Sequence, residues 1–201
     1  LTTASTAPAN SGKCTPGAPT VLGGSTVKAT SGNLVVQLNA DGTEISFSRA
    51  DTGAALVTAA ITAFAPSSTP GFHRAQLTTT PANPAERIFG LGQGNWTGGD
   101  ACASGSERIV PLERAGQTLR LLQRKFHVTI PWAYSTGGYG LLWNLPGDGK
   151  VSIGARGTGG MTWEAEAALG IDLWVTTVGK GEAAGAATAA TIYERYADAT
   201  G

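Results

Sequence analysis

From Asn33 onward the chain alternates short stretches of period-two hydrophobicity with turn-forming residues, a rhythm that few folds accommodate. Leu34, Val36 and Leu38 fall on one side of the first stretch, Asn39-Ala40-Asp41-Gly42 reverses the chain, and Ile45 and Phe47 bring it back as a β-hairpin. Ala54 to Ala65 is Ala-rich and readable as strand or helix, and its β-branched Val57, Thr58, Ile61 and Thr62 tilt it toward strand. Phe72 to Thr79 reads as a further strand that ends at Pro81 and Pro84. Lys150 to Ile153, Met161 to Ala167 and Ile171 to Thr177 alternate in the same way, with Trp163, Ala165 and Ala167 set against Thr162, Glu164 and Glu166. A helical period emerges only after Gly185, with Ala189, Ile192, Tyr193 and Tyr196 on one face and Gly201 where a helix C-terminus favours glycine. The expected fold is therefore all-β, a twisted antiparallel β-sandwich closed by one C-terminal helix. Residues 1–31, rich in Ala, Thr, Pro, Ser and Gly, are expected to be a loose N-terminal arm, 32–184 the sandwich and 185–201 the helix.

Charge narrows the function classes. Lys plus Arg and Asp plus Glu are balanced at 14 each, with no basic stripe to neutralise a phosphate backbone, so nucleic acid is not an expected partner. No apolar run reaches the roughly 18 residues a membrane span requires, and LTTASTAPANSGK lacks the charged start and apolar core of a signal peptide. The expectation is a soluble protein with no membrane partner and any targeting segment already removed, compatible with secretion or a periplasmic location. Cys14 and Cys102 match no metal spacing, and both a fold-made disulfide and two free thiols remain open.

The most informative stretch runs from Glu86 to Asn144. Phe89 to Asn95, FGLGQGN, begins like a dinucleotide fingerprint, but Asn95 replaces the third glycine and Trp96-Thr97-Gly98-Gly99 cannot open the helix that would hold a pyrophosphate. Close backbone approach or a bulge at a strand end accounts for Gly90, Gly92 and Gly94. Further on, Phe126, Val128, Ile130, Trp132 and Tyr134 share one face and are expected to be core, with His127, Thr129, Ala133 and Ser135 opposite. Pro131 removes a ladder donor, so this strand must be an edge, be bulged, or be two strands meeting. Thr136-Gly137-Gly138 turns the chain into a hairpin partner whose Tyr139, Leu141 and Trp143 share a face.

ERIFGLGQ at Glu86 to Gln93, IPWAYSTGGYGLLWN at Ile130 to Asn144 and GIDLWV at Gly170 to Val175, in this order and spacing, resemble the N-terminal β-sandwich of glycoside hydrolase family 31, which includes α-glucosidases and α-xylosidases. GNLVVQLN and ISFSRADTGAALV, from Gly32 to Val57, are similar to the family's early strands, so the resemblance covers residues 32–201. It implies a galactose-mutarotase-like supersandwich, with the terminal helix and YADATG leading toward a catalytic (β/α)8 barrel that this sequence does not contain. It also implies that a retaining mechanism's nucleophilic and acid/base aspartates are carried on that barrel, that no catalytic residue, cofactor or metal is held here, and that the α-glucoside or α-xyloside partner is reached through the barrel. In the family a sandwich loop helps shape the sugar pocket, which places the substrate-loop candidates between Gln93 and Ile130: Trp96, Asp100, Gln123, Arg124 and Phe126. Aromatic faces stack on sugar rings, and Asp, Gln or Arg can bond hydroxyls.

Other chemistries are weaker. A retaining glycosidase needs two carboxyls about 5 Å apart across the scissile bond. Glu164 and Glu166, roughly 7 Å apart at Cα on one strand face, are the nearest local pair, and a solvated face accounts for them. Two alternatives differ in class. A stand-alone carbohydrate-binding module would use the five tryptophans, and a mutarotase-like sugar epimerase would need His73 or His127 as an acid/base group. No serine elbow, zinc spacing or calcium loop occurs.

Overall fold

The computed structural model describes residues 26–92, 113–122, 128–145, 147–182 and 186–201. The chain forms β1 (Val27–Ser31), β2 (Leu34–Leu38), β3 (Glu44–Arg49), β4 (Ala55–Pro66), β5 (His73–Pro81) and β6 (Ile88–Gly90). It continues through β7 (Thr118–Arg120), β8 (Trp132–Ser135), β9 (Tyr139–Trp143), β10 (Gly149–Ile153), β11 (Met161–Ala168), β12 (Leu173–Thr177) and α1 (Ala186–Thr200). An eight-stranded sheet runs β1-β2-β3-β4-β5-β11-β10-β7, and a four-stranded sheet runs β12-β9-β8-β6. Every pairing is antiparallel.

Strand alternation decides what lies between the sheets. Ile61, Leu77, Trp163, Val151 and Leu119 form a cross-strand row over five strands of the large sheet. Opposite them, Tyr139, Leu141 and Trp143 present the inner face of the small sheet. Trp143 and Trp163 are fully buried and meet edge to face, with ring centroids 5.9 Å apart at 70°, a contact that adds about 0.5–1.5 kcal/mol beyond the area buried. The outer face of the large sheet is polar: Thr78 contacts Thr162, and Lys150 pairs with Glu164 at 3.1 Å.

The small sheet is apolar on both faces, because α1 covers the outer one. Trp132, Tyr134, Val178 and Ile192 form a second core there, joined by Ala189 and Tyr196 from the helix face that the sequence indicates. This corrects one expectation. Trp132 and Tyr134 pack toward α1, whereas Ala133, from the face expected to be polar, joins the core between the sheets. Val128 is 48% exposed, and the strand begins only after Pro131, whose carbonyl accepts from the Trp143 amide at 3.0 Å. Phe126 and His127 lie outside the described residues.

Two smaller departures have local causes. Val27–Ser31 is a strand where a loose arm is expected, because its backbone pairs in full register with Leu34–Leu38 although its composition carries little apolar signal. A bulge between Ala165 and Ala168 shifts the alternation, so Ala168 takes the buried place expected for Ala167.

The connection from β12 to α1 is tied back to the large sheet by polar groups. Asn33 donates through Nδ2 to the carbonyls of Val178 and Gly179, both at 3.1 Å, and accepts the Asp51 amide at 3.0 Å. The Asp51 carboxylate takes a two-point contact from Arg49, at 2.9 and 2.6 Å, and the Gly181 amide at 2.9 Å. Arg49 and the Gly181 amide hold the Asp51 carboxyl well below its ordinary value of 3.8. A carboxyl depressed in the folded state contributes stability that is present above pH 3.8 and lost as pH falls toward the folded value. The urea midpoint of the wild-type chain is therefore expected to fall on acidification below pH 4 more than that of Asp51→Asn. Equal acid sensitivity of the two would refute this role.

Candidate functional site

At the end of β6 three consecutive residues adopt positive φ: Gly90 at 94°, Leu91 at 65° and Gly92 at 77°. Glycine is required on both sides by space as well as by conformation. A Cβ on Gly90 would stand 2.6 Å from the Trp132 carbonyl oxygen, and one on Gly92 would stand 2.1 Å from that of Val128. Leu91 is held between them by burial of its side chain, 3% exposed, and by donation of its amide to the Trp132 carbonyl at 2.7 Å.

Arg114 closes this turn. Its guanidinium donates through Nε to the Gly90 carbonyl at 3.1 Å and through Nη2 to the Gly92 carbonyl at 2.8 Å, while its amide donates to the Ile88 carbonyl at 2.8 Å. The residues on either side of 93–112 are thereby tied together. The residues on either side of 123–127 are also linked, because the Thr129 hydroxyl reaches the Leu122 carbonyl at 3.4 Å, and Gly92 lies against Val128. Four chain positions, Gly92, Glu113, Leu122 and Val128, thus meet at a junction between the β6 edge of the small sheet and the segment around β7 at the edge of the large one. The substrate-loop candidates Trp96, Asp100, Gln123, Arg124 and Phe126 all belong to these two intervening segments and lie outside the described residues, as do Cys14 and Cys102.

The other described titratable residues that the sequence singles out, Glu164, Glu166 and His73, each contact a neighbouring side chain. Glu164 pairs with Lys150 at 3.1 Å and Glu166 with Arg74 at 3.5 Å, so the two carboxylates face separate cations on the solvated sheet. The His73 ring stacks on Phe64 with centroids 4.5 Å apart at 13°. Among the described residues no group of three His, Cys, Asp or Glu side chains is placed to hold a metal ion. Nor, among them, is any helix long and apolar enough to cross a membrane.

No family model matches the chain. An uncharacterized family 31 glucosidase of Pseudescherichia vulneris is 29% identical over 122 residues, 60% of this chain and 18% of that relative. Among solved structures, a xylosidase from Aspergillus niger aligns with a TM-score of 0.64 at 18% identity, over 88% of this chain and 23% of its own. A GH31 α-xylosidase from a soil metagenome, complexed with xylose, aligns at 0.60 with 22% identity, over 88% of this chain and 26% of its own. This chain is a β-sandwich similar in fold to part of these two enzymes. It spans between 18% and 26% of the length of these relatives.

In this sandwich the three recognisable motifs map onto one element of architecture. ERIFGLGQ supplies β6, IPWAYSTGGYGLLWN supplies β8 and β9, and GIDLWV begins β12, so together they form the small sheet. Glu86, at the head of the first motif, is buried beneath the β8–β9 turn. Tyr139 donates its hydroxyl to Glu86 Oε1 at 2.8 Å, the Ser135 hydroxyl donates to Oε2, and the Ser135 oxygen accepts the Gly137 amide at 2.9 Å. Burial pushes the Glu86 carboxyl above its ordinary 4.5, with the two hydroxyl donors opposing that rise in part. A carboxyl raised in the folded state contributes stability that is full below pH 4.5 and lost as pH rises through the folded value. Glutamine mimics the protonated form, accepting from one hydroxyl and donating to the other. The stability of Glu86→Gln relative to wild type is accordingly expected to improve between pH 4 and pH 8 in parallel urea titrations. A constant difference across that range would contradict it.

Alternation missed Glu86, Leu91 and Arg114. A signal for Glu86 exists, since it lies two residues before buried Ile88 and so on its side of an extended chain. Arg114 has no comparable local signature.

Proposed function

We propose that this chain serves as the non-catalytic β-sandwich portion of a retaining α-glycosidase, of α-glucosidase or α-xylosidase type, acting at non-reducing-end α-glycosidic bonds. The sandwich supports a catalytic barrel and supplies a loop to the substrate pocket. The observation that carries this reading is this junction: the residues flanking the two segments that bear every substrate-loop candidate meet where the β6 edge of the small sheet lies beside the β7 region, and hydrogen bonds link the residues flanking each. The carboxylate arrangement agrees with it. Glu164 and Glu166 are paired to different cations and Glu86 is buried under a turn, so these three do not form the opposed pair that glycoside cleavage requires.

The test is an assay of this 201-residue chain alone on aryl α-glucoside and aryl α-xyloside. The expected result is no turnover above a buffer blank. Sustained turnover abolished by a single substitution within the chain would overturn the reading. Sugar affinity of the isolated chain that is lost in Trp96→Ala would instead favour a stand-alone carbohydrate-binding module.

A further inference from the structure

We propose that Arg114 is a positioning residue: its guanidinium holds the Gly90–Leu91–Gly92 backbone in a left-handed run and so fixes the direction in which the chain departs from β6. The importance of that direction for a sugar substrate rests on the function proposed above, whereas the clamp itself does not.

Three features support it. First, the held conformation is unfavourable without help. Left-handed backbone is free for Gly90 and Gly92 but rare for a leucine, and Leu91 stands between them at φ 65°. Second, the geometry suits a guanidinium. Two carbonyls, two residues apart, are taken by Nε and Nη2 at 3.1 and 2.8 Å, a planar fork that an ammonium cannot reproduce with one nitrogen. The base of the fork is fixed in turn, because the Arg114 amide is bonded to Ile88 at 2.8 Å. Third, the cation is kept at a cost. Arg114 is 6% exposed, and the neighbouring Glu113 carboxylate is bonded to Arg156 instead. Its Nη1 is buried with no partner among the described residues. Among the described residues no carboxylate pairs with it, and a buried charge so placed is poor for stability compared with an apolar side chain of similar volume. The role that such an apolar chain could not perform is holding the two carbonyls.

The Leu91 amide, bonded to Trp132, reports on this turn, and the Leu141 amide reports on the sandwich core. In Arg114→Met, hydrogen exchange at Leu91 is expected to accelerate at least about tenfold while Leu141 is unchanged. Arg114→Lys is expected to recover only part of that protection. Unchanged exchange at Leu91 in Arg114→Met, or full recovery in Arg114→Lys, would overturn the proposal. Should Arg114→Met fail to fold, the wild-type chain decides. Its Arg114 Nε–H must exchange at least about tenfold more slowly than that of the exposed Arg74, and equal rates would overturn the clamp. None of these measurements involves a sugar, so failure of the clamp is distinguishable from failure of the glycosidase reading.

Discussion

Gly92→Ala is expected to destabilise the chain by about 3 kcal/mol, the sum of a conformational term and a contact term. The added methyl would stand 2.1 Å from the Val128 carbonyl oxygen, 2.8 Å from the Ile130 nitrogen and 2.9 Å from the Val128 carbonyl carbon. All three are backbone atoms, so no side-chain rotation can relieve the contact. The backbone must also hold φ at 77° with a β-carbon present, which costs about 1–2 kcal/mol by itself. Gly42 provides the control. It has nearly the same φ, 75°, and a methyl added there would meet nothing within 4 Å, so Gly42→Ala carries the conformational term alone. Urea unfolding of both variants separates the two contributions. A Gly92→Ala loss no larger than that of Gly42→Ala would show that the approach of Val128 is not tight in solution.

The same region shows what could be read from the sequence. The β2–β3 hairpin was legible because alternation and the Asn39–Gly42 turn agree, and nothing tertiary competes with them. Ala-rich β4 was ambiguous because alanine fits either element, and its pairing with β3 and β5 decides the outcome. For β8, period two correctly separated Trp132 and Tyr134 from Ala133 and Ser135, but it cannot say which face meets the other sheet. All four are buried because a third layer, α1, covers the face that would otherwise meet solvent. Alternation assigns sides, and only the packing of layers assigns what each side touches.

The candidate site was less legible for a related reason. The motifs that carry the resemblance make up the small sheet, where cross-strand partners and the interlayer packing constrain residue type strongly. Trp96, Asp100, Gln123 and Arg124 lie between those motifs, where no strand periodicity exists to place a side chain, and Phe126 heads an alternating run whose next member, Val128, is exposed. Arg114 joins a carbonyl 22 residues earlier and another 24 residues earlier, contacts that no local pattern encodes. The two glycines around Leu91 were the available clue: they indicated close backbone approach or a bulge at a strand end, and the structure shows the approach, to the Trp132 and Val128 carbonyls.

Trp132→Ala is expected to cost about 3–5 kcal/mol, the range for truncating a large buried aromatic residue. Trp132 is 3% exposed and lies between the small sheet and α1. Its ring stacks on Tyr196 with centroids 4.4 Å apart at 14°, and it also meets Trp174 at 5.6 Å and Tyr193 at 6.4 Å. Because these partners include both helix tyrosines, its removal weakens the attachment of α1 more than the sandwich. Exchange of the Ile192 amide should therefore accelerate well before that of Leu141, and the urea midpoint should fall with it. Gly140 supplies an independent check on the cause. A methyl there would stand 1.9 Å from Trp132 Cη2 and 2.4 Å from Cζ2, so Gly140→Ala must displace the indole while leaving it in the chain. Phenylalanine at 132 lacks the outer indole ring, and combining Trp132→Phe with Gly140→Ala removes the collision. The double variant is expected to be at least about 1 kcal/mol more stable than the two single losses predict by addition. Strict additivity would mean that the space left by Gly140 is not what seats the tryptophan, and that α1 is held to the sheet by some other contact.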